Sequence, residues 1–285
     1  MRWFAAAALA GIVTAVAAAV GPPPAAPPAL TAAEIIDKNI AARGGLEGWS
    51  KVQTMVWMGH IEGANASAPA MPFVLELKRP NMTHFEIMSL KEKYSRIFDG
   101  SRGWKLRPNR NGGGQDVQAF SPDEVNFSRD EFVIDGPLVD YQAKGVAVNL
   151  DGVDEVDGRK AYRLSLKLPS GAARRVWIDS ETYLDIRYDR PSSNPLTRNA
   201  AVSVYYRNYT TVDGLQIPLS IERGAATGAA AGNAPEKLRI DRVLVNPPLE
   251  DRAFAKPGVP RKQRATVNLG GDVPPIPRVP GGPSR

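Results

Sequence analysis

Between Gly158 and Glu222 apolar and polar residues alternate with a period of two. Tyr162, Leu164, Leu166 and Leu168 fall on one face, and Arg163, Ser165 and Lys167 on the other. Leu184, Ile186 and Tyr188 repeat the pattern against Asp185, Arg187 and Asp189. Leu215, Ile217, Leu219 and Ile221 repeat it against Gln216, Ser220 and Glu222. Successive strand side chains point to opposite sides, so each run predicts a strand with one dry face and one wet face. Pro169-Ser170-Gly171, Asp179 to Thr182 and Asp213-Gly214 supply turn chemistry between them. Links this short join antiparallel neighbours, because a parallel pair needs a crossover of a dozen or more residues.

Upstream, strand patterns cover Val52 to Ile61, Phe73 to Arg79, Met82 to Met88, Tyr94 to Asp99 and Gly103 to Arg107. Downstream they cover Val146 to Leu150 and Glu236 to Val245. Two segments break the β pattern. Thr31 followed by Glu34 is a capping box, Ile35, Ile36 and Ile40 form a helical stripe, and Gly44-Gly45 ends it. This predicts one helix, roughly Ala32 to Arg43. Ser121-Pro122 with Glu124 opens a second, interrupted helical insert that runs to about Lys144. Its apolar members include Val125, Phe127, Phe132, Ile134 and Leu138, too many for a solvated connector, so the insert is expected to lie as a lid on the apolar face of the sheet. The fold class expected is mainly β (α+β), one antiparallel sheet of about 11 strands, which is too wide to stay flat and should curl around its helices.

The ends are of a different character. Arg2, the apolar stretch Trp3 to Val20 and the small residues Ala17-Ala18-Ala19 form a secretory signal pattern. An uncleaved inner-membrane anchor is the alternative, since the run approaches the ~20 residues that span a bilayer. Residues 1–29, with the Pro22 to Pro28 spacer, are therefore set apart from a β domain at 30–256. A Pro/Gly-rich basic tail follows at 257–285, with no periodicity and the composition of a disordered segment. The expected location is the periplasm.

Composition narrows the chemistry. The absence of cysteine excludes disulfides, thiolate sites and lipid attachment at cysteine. A net charge of +6 is spread along the strands, without a basic cluster interleaved with aromatics, and gives no nucleic-acid module. Nucleophile elbow, HExxH and P-loop are all missing, and Gly112 to Gly114 lacks a following Lys-Ser/Thr. The only histidines, His60 and His84, have no partner at ligand spacing. Asp151, Asp154, Glu155 and Asp157 read as a solvated acidic hairpin and not as a calcium loop. No metal, no cofactor and no catalytic residue is expected. What remains is an apolar interior, for which Trp57, Phe73, Leu75, Leu77, Phe85, Ile87, Trp104, Leu164, Leu166, Ile186, Ile217 and Leu219 are the ligand-cavity candidates.

Several motifs in series carry a resemblance. They are AxEIIxKNIxARGG at Ala33–Gly45 with Trp49 behind it, KRPN at Lys78–Asn81, DGSRGW at Asp99–Trp104 and GRKAYRL at Gly158–Leu164. VWID with a following TYL at Val176–Leu184 and YxxYxxVDGLxIP at Tyr206–Pro218 complete the set. In this order they resemble the periplasmic outer-membrane lipoprotein-sorting proteins, the LolA-like group of the LolA/LolB superfamily. The resemblance implies an unclosed antiparallel β-barrel with a helical lid, whose cavity takes the acyl chains of a lipoprotein or another lipid. It further implies an inner-membrane release complex and an outer-membrane acceptor as partners. It also implies an arginine that holds the lid closed, for which Arg43, Arg79 and Arg96 are all candidates. The expected function is a non-enzymatic carrier. The alternatives are an envelope-sensing or protein-interaction module on the same scaffold and an enzyme acting on envelope components.

Overall fold

The structure, a computed structural model, describes residues 30–63, 68–89, 92–109, 114–131, 134–191, 201–225 and 236–258. Residues 1–29, read above as signal segment and spacer, the residues beyond 258, most of the Gly112 to Gly114 stretch and the lid candidate Phe132 lie outside the described residues.

The described residues open with helix α1 (Ala32–Ala42). Its capping box is formed: the Thr31 N–H donates to Glu34 Oε2 at 2.8 Å, and the Glu34 N–H returns to the Thr31 hydroxyl at 3.3 Å. Ile35 and Ile36 are fully buried. Gly44, at φ 114°, turns the chain into a second short helix, α2 (Gly45–Ser50). The sequence pattern did not predict α2, which buries Trp49.

Among the described residues thirteen strands then form a single antiparallel sheet. The first half of the chain is a meander of β1 (Thr54–Ile61), β2 (Met71–Lys78), β3 (Met82–Ser89), β4 (Glu92–Phe98), β5 (Gly103–Pro108) and β6 (Gln115–Ala119). The second half is another, of β7 (Ala147–Val156), β8 (Arg159–Lys167), β9 (Ala173–Asp179), β10 (Asp185–Pro191), β11 (Ala201–Val212), β12 (Leu215–Ala225) and β13 (Glu236–Val245). One long-range seam, β1 against β13, joins them. The sheet is not closed: β6 and β7 are its edges, although they are neighbours in sequence. Between them run helix α3 (Pro122–Glu131) and a turn-rich segment at 134–145.

Two of these strands differ from the pattern-based reading. β6 is only five residues long and has one large apolar residue, Val117, too short an alternation to read as a strand. The stretch read as an acidic hairpin is the second half of β7, paired with β8 through a bulge at Leu150/Gly152. Its acids suit an exposed edge, where charge discourages further pairing. Asp154 takes Arg163 at 2.8 Å and the Trp177 indole N–H at 2.9 Å, and Asp151 lies 3.6 Å from Arg163. The actual turn is Asp157-Gly158, both at positive φ as a two-residue hairpin requires.

Two apolar clusters line the concave side. One gathers Trp49, Val52, Met55, Leu75, Leu77, Ile217 and Ile240 with Ile134 and Val139 of the turn-rich segment. The other packs Ile35 and Ile36 of α1 against Leu164, Leu166, Val176 and Ile178, with Leu138. Helix α1 thus seals β7–β9, and the turn-rich segment bridges both clusters. A short 3-10 turn (Asp251–Phe254) ends the described chain against β3, with Phe254 fully buried.

Candidate functional site

A cavity of about 420 Å³ remains between the sheet and the lid. Its apolar wall comes from Trp57 on β1, Phe73, Leu75 and Leu77 on β2, Phe85 on β3, and Ile217 and Ile221 on β12. Phe127 of α3 and Ile134, Pro137 and Leu138 of the turn-rich segment close it from the other side. Strands β9–β11 contribute Val176, Tyr188, Val204, Tyr206 and Tyr209.

The sheet alternation explains which candidates reach this space. Trp57 and Leu75, and Leu75 and Phe85, are register partners, so their side chains share a face. Leu77, Phe73 and Ile217 join them on the wall. Ile87 and Leu219 sit at the edge of the same cluster without lining the cavity. Leu164 and Leu166 have the concave orientation but are covered by α1, and belong to its packed core.

Two candidates are corrected outright. Trp104 is paired with Ile97, the residue after cavity-facing Arg96, and packs with Ile97, Leu106 and Val117 on the opposite face. In β10 a bulge sets both Ile186 and Arg187 across from Trp177, and Ile186 packs with Trp177, Val156 and Ala161 away from the cavity. One extra residue inverts the alternation, which a period-two reading cannot detect. Among the lid candidates, Phe127, Ile134 and Leu138 line the cavity, whereas Val125 is half-buried outside it.

Polar contacts hold the lid. Asp135, 4% exposed, receives Arg79 Nη2 at 2.8 Å and Lys144 Nζ at 2.6 Å, and its carbonyl accepts from Arg43 Nη1 at 3.2 Å. At the start of α3, Glu124 takes Lys105 at 2.9 Å and Arg96 at 3.3 Å. All three arginines left open by the sequence therefore reach the lid. Burial pushes the Glu124 carboxyl up, but the Ser121 N–H, Lys105 and Arg96 together hold it down, to about 2. Burial lowers the Lys144 ammonium despite its contact with Asp135.

At the α1 end of the cavity Asp185 is largely buried. Burial raises its carboxyl above the usual range, against the pull of Arg43 at 3.5 Å and the Asn39 amide at 3.4 Å. The Tyr209 hydroxyl, donated to the Asp185 carbonyl at 2.8 Å, is raised well above the ordinary tyrosine value by burial and then by the Asp185 charge. His60 faces Asp241 and His84 faces Glu76 in separate contacts. Among the described residues no three His, Asp or Glu side chains gather as a metal-binding group.

Sequence reasoning overlooked the β9–β12 wall: Arg174, Tyr188, Arg190, Tyr206 and Arg223 all line the cavity. A signal was present. Arg174 is in phase with Val176 and Ile178, and Arg223 with Ile217, Leu219 and Ile221, so each is a charge on an apolar face.

No family model matches the chain, and no curated protein matches it in sequence. Solved structures do match. The chain is similar to a LolA superfamily protein from Nitrosomonas europaea, at TM-score 0.51 and 13% identity over 80% of this chain and 99% of the other. It is similar at the same TM-score to a domain described as an outer-membrane lipoprotein-sorting protein from Vibrio parahaemolyticus, at 12% identity over 78% of this chain and 95% of that one. A DUF1329 family protein from Desulfovibrio piger matches at TM-score 0.51 and 13% identity, over 78% and 95% respectively. At such identities the likeness concerns architecture: an open, lidded antiparallel sheet, which is the LolA-like fold.

Proposed function

We propose that the protein is an exported carrier that shelters the acyl chains of a lipoprotein, or of another amphiphile, for passage towards the outer membrane. The observation that carries this reading is the cavity of about 420 Å³, apolar along β1–β3 and β12 and roofed by a lid fastened through polar contacts. Its size falls within the ~300–1,000 Å³ of small-molecule sites. Each acyl CH₂ withdrawn from water contributes ~0.8 kcal/mol, so even a partly enclosed chain is held strongly. Release then needs a second state of similar energy. A lid anchored by ion pairs at Asp135 and Glu124 supplies one, because the hydration these groups regain when the lid lifts offsets much of the pairing they lose. The likeness to a lipoprotein-sorting domain supports the same reading. Among the described residues no helix is long and apolar enough to cross a membrane.

Native mass spectrometry of protein purified from the periplasm without detergent tests the proposal. Added mass that resolves as phospholipid, fatty acid or acylated peptide is the expected result. An apo mass that persists after incubation with lipopeptide and lipid vesicles rejects it.

A further inference from the structure

We infer that one end of the cavity is a subsite for an anionic head group, so that the cargo is a phosphate- or carboxylate-bearing amphiphile and not a neutral lipid; this rests on the carrier reading above. Arg174, Arg190 and Arg223 all line the cavity, and the sheet register brings them together. Val176, Tyr188, Val204 and Arg223 form one row across β9–β12. One step beyond the Asp189–Arg175 pair, Arg190 comes level with Arg174. Along β12, Arg223 stands six residues from Ile217, roughly 20 Å of strand. The cationic end is thus separated from the Ile217 and Leu77 end by about the length of the cavity wall.

These guanidinium groups are not ordinary rim charges. Arg174 and Arg190 are 8% and 7% exposed. Arg174 lies 5.6 Å from the Tyr188 ring, Tyr188 is 5.7 Å from Tyr206, and Arg190 is 4.7 Å over Phe127 of the lid. Arg223 pairs with Glu236 through Nη2 at 2.7 Å, while its Nε–H is buried without an acceptor among the described residues. The indole N–H of Trp57, on the wall between the two ends, is likewise buried without one. Of the two acids on the cavity wall, Asp185 lies 3.5 Å from Arg43 at the α1 end, and Asp130, which accepts from the Ser170 hydroxyl at 2.6 Å, is a single carboxylate on a wall that carries all three of these arginines. A guanidinium offers a planar fork of donors that suits carboxylate and phosphate oxygens, and such bonds are strongest where water is excluded. An acyl tail against Leu75, Leu77 and Ile217 with its head beside Arg174, Arg190 and Arg223 gives the buried Arg223 Nε–H an acceptor.

The test uses the full mature chain, titrated with the fluorescent fatty acid cis-parinaric acid and, separately, with its uncharged methyl ester. The acid should bind at least about tenfold more tightly than the ester. In the double variant Arg190→Gln/Arg223→Gln the acid should fall to within about twofold of the ester. A cooperative thermal unfolding transition is the control that the variant is folded, the ratio of acid to ester affinity is the readout, and the Arg190→Lys/Arg223→Lys pair should keep most of the preference. Lysophosphatidic acid should displace the bound acid, and monoacylglycerol should not. Equal binding of acid and ester by the unaltered protein overturns the subsite and leaves the carrier reading standing. Binding of neither overturns both. Displacement of the acid by inorganic phosphate, with the ester left in place, would assign the arginines to a free anion and overturn the head-group assignment.

Discussion

Arg79 donates from Nη2 to the carboxylate of Asp135 at 2.8 Å, which ties the turn after β2 to the segment that roofs the cavity. The same guanidinium reaches the carbonyls of Val52 and Trp49, so the arginine is fixed from the sheet side and the aspartate from the lid side. Lys144 completes the contact from within the lid at 2.6 Å. Replacing Asp135 by Ala leaves two cations facing an empty, buried site, a loss of about 3 kcal/mol. For a domain of this size that lowers the melting temperature by roughly 6–12 °C. Amide exchange should accelerate at 134–145 ahead of the sheet strands. Unchanged exchange there would mean that Asp135 does not latch the lid.

Acid should loosen the other lid contact. The Glu124 carboxyl is held at about 2 in the folded protein, below its ordinary value of 4.5. A depressed carboxylate contributes stability that is present above the unfolded value and is lost as pH falls through 4.5 towards 2. With solvent screening of a partly exposed pair, the contribution is on the order of 2 kcal/mol. Glu124→Gln should therefore lower the melting temperature at pH 6 and match the unaltered protein at pH 2. Parallel melting curves across this range would remove Glu124 as a pH-dependent clamp.

Cavity wall and packed core should respond differently. Leu75 lines the cavity, whereas Leu164 lies under α1 and is wholly buried. Leu75→Trp adds bulk into open volume and should weaken acyl-chain binding about tenfold or more, at a cost in stability near 1 kcal/mol. Leu164→Ala removes packing and should cost about 2–5 kcal/mol, with affinity preserved below its melting temperature. Isothermal titration alongside urea unfolding separates the two. Equal effects on affinity would deny that the β2 wall is the ligand-facing one.

The positions that the sequence misassigned have physical causes in common. Helix α1 was legible because its capping box and isoleucine stripe are local signals, and the long strands because one face is wet. Strand β6 was not, since Val117 is the one large apolar residue among its five and a single residue sets no period. Trp104 and Ile186 have apolar patterns, yet alternation does not say which face of a sheet is concave, and a bulge reverses the answer within one strand. Arg174, Arg190 and Arg223 were passed over for the opposite reason. A charge is read as solvated by default, and only the register across β9–β12 turns these three inward. Leu164 and Leu166 show a further limit: the strand states their face, but only the packing of α1 decides that they are core instead of cavity.

The join between α1 and α2 sets the position of Arg43, and adjacent glycines there should tolerate substitution unequally. The Arg43 carbonyl accepts from the Trp49 indole N–H and from the Gln216 N–H, both at 3.1 Å, and so locks the helix pair to β12. Gly44, at φ 114°, lies against the turn of the β11–β12 hairpin: an added Cβ would stand 2.5 Å from the Gly214 carbonyl oxygen and 3.1 Å from Leu215 Cα. Those are backbone atoms of a turn whose own residues, Asp213 and Gly214, are at positive φ, so neither side yields cheaply. Gly45, at φ 81°, has open space around the same position. Gly45→Ala therefore bears only the left-handed strain of about 1–2 kcal/mol. Gly44→Ala adds the displacement of the hairpin and should lose about 3 kcal/mol or more. Because the shift carries Arg43 away from Asp185 and the Asp135 carbonyl, Gly44→Ala should also weaken ligand retention, which Gly45→Ala leaves intact. Urea midpoints and ligand dissociation rates for the two variants check this, and equal losses would show that the helix pair is not braced on the β11–β12 turn.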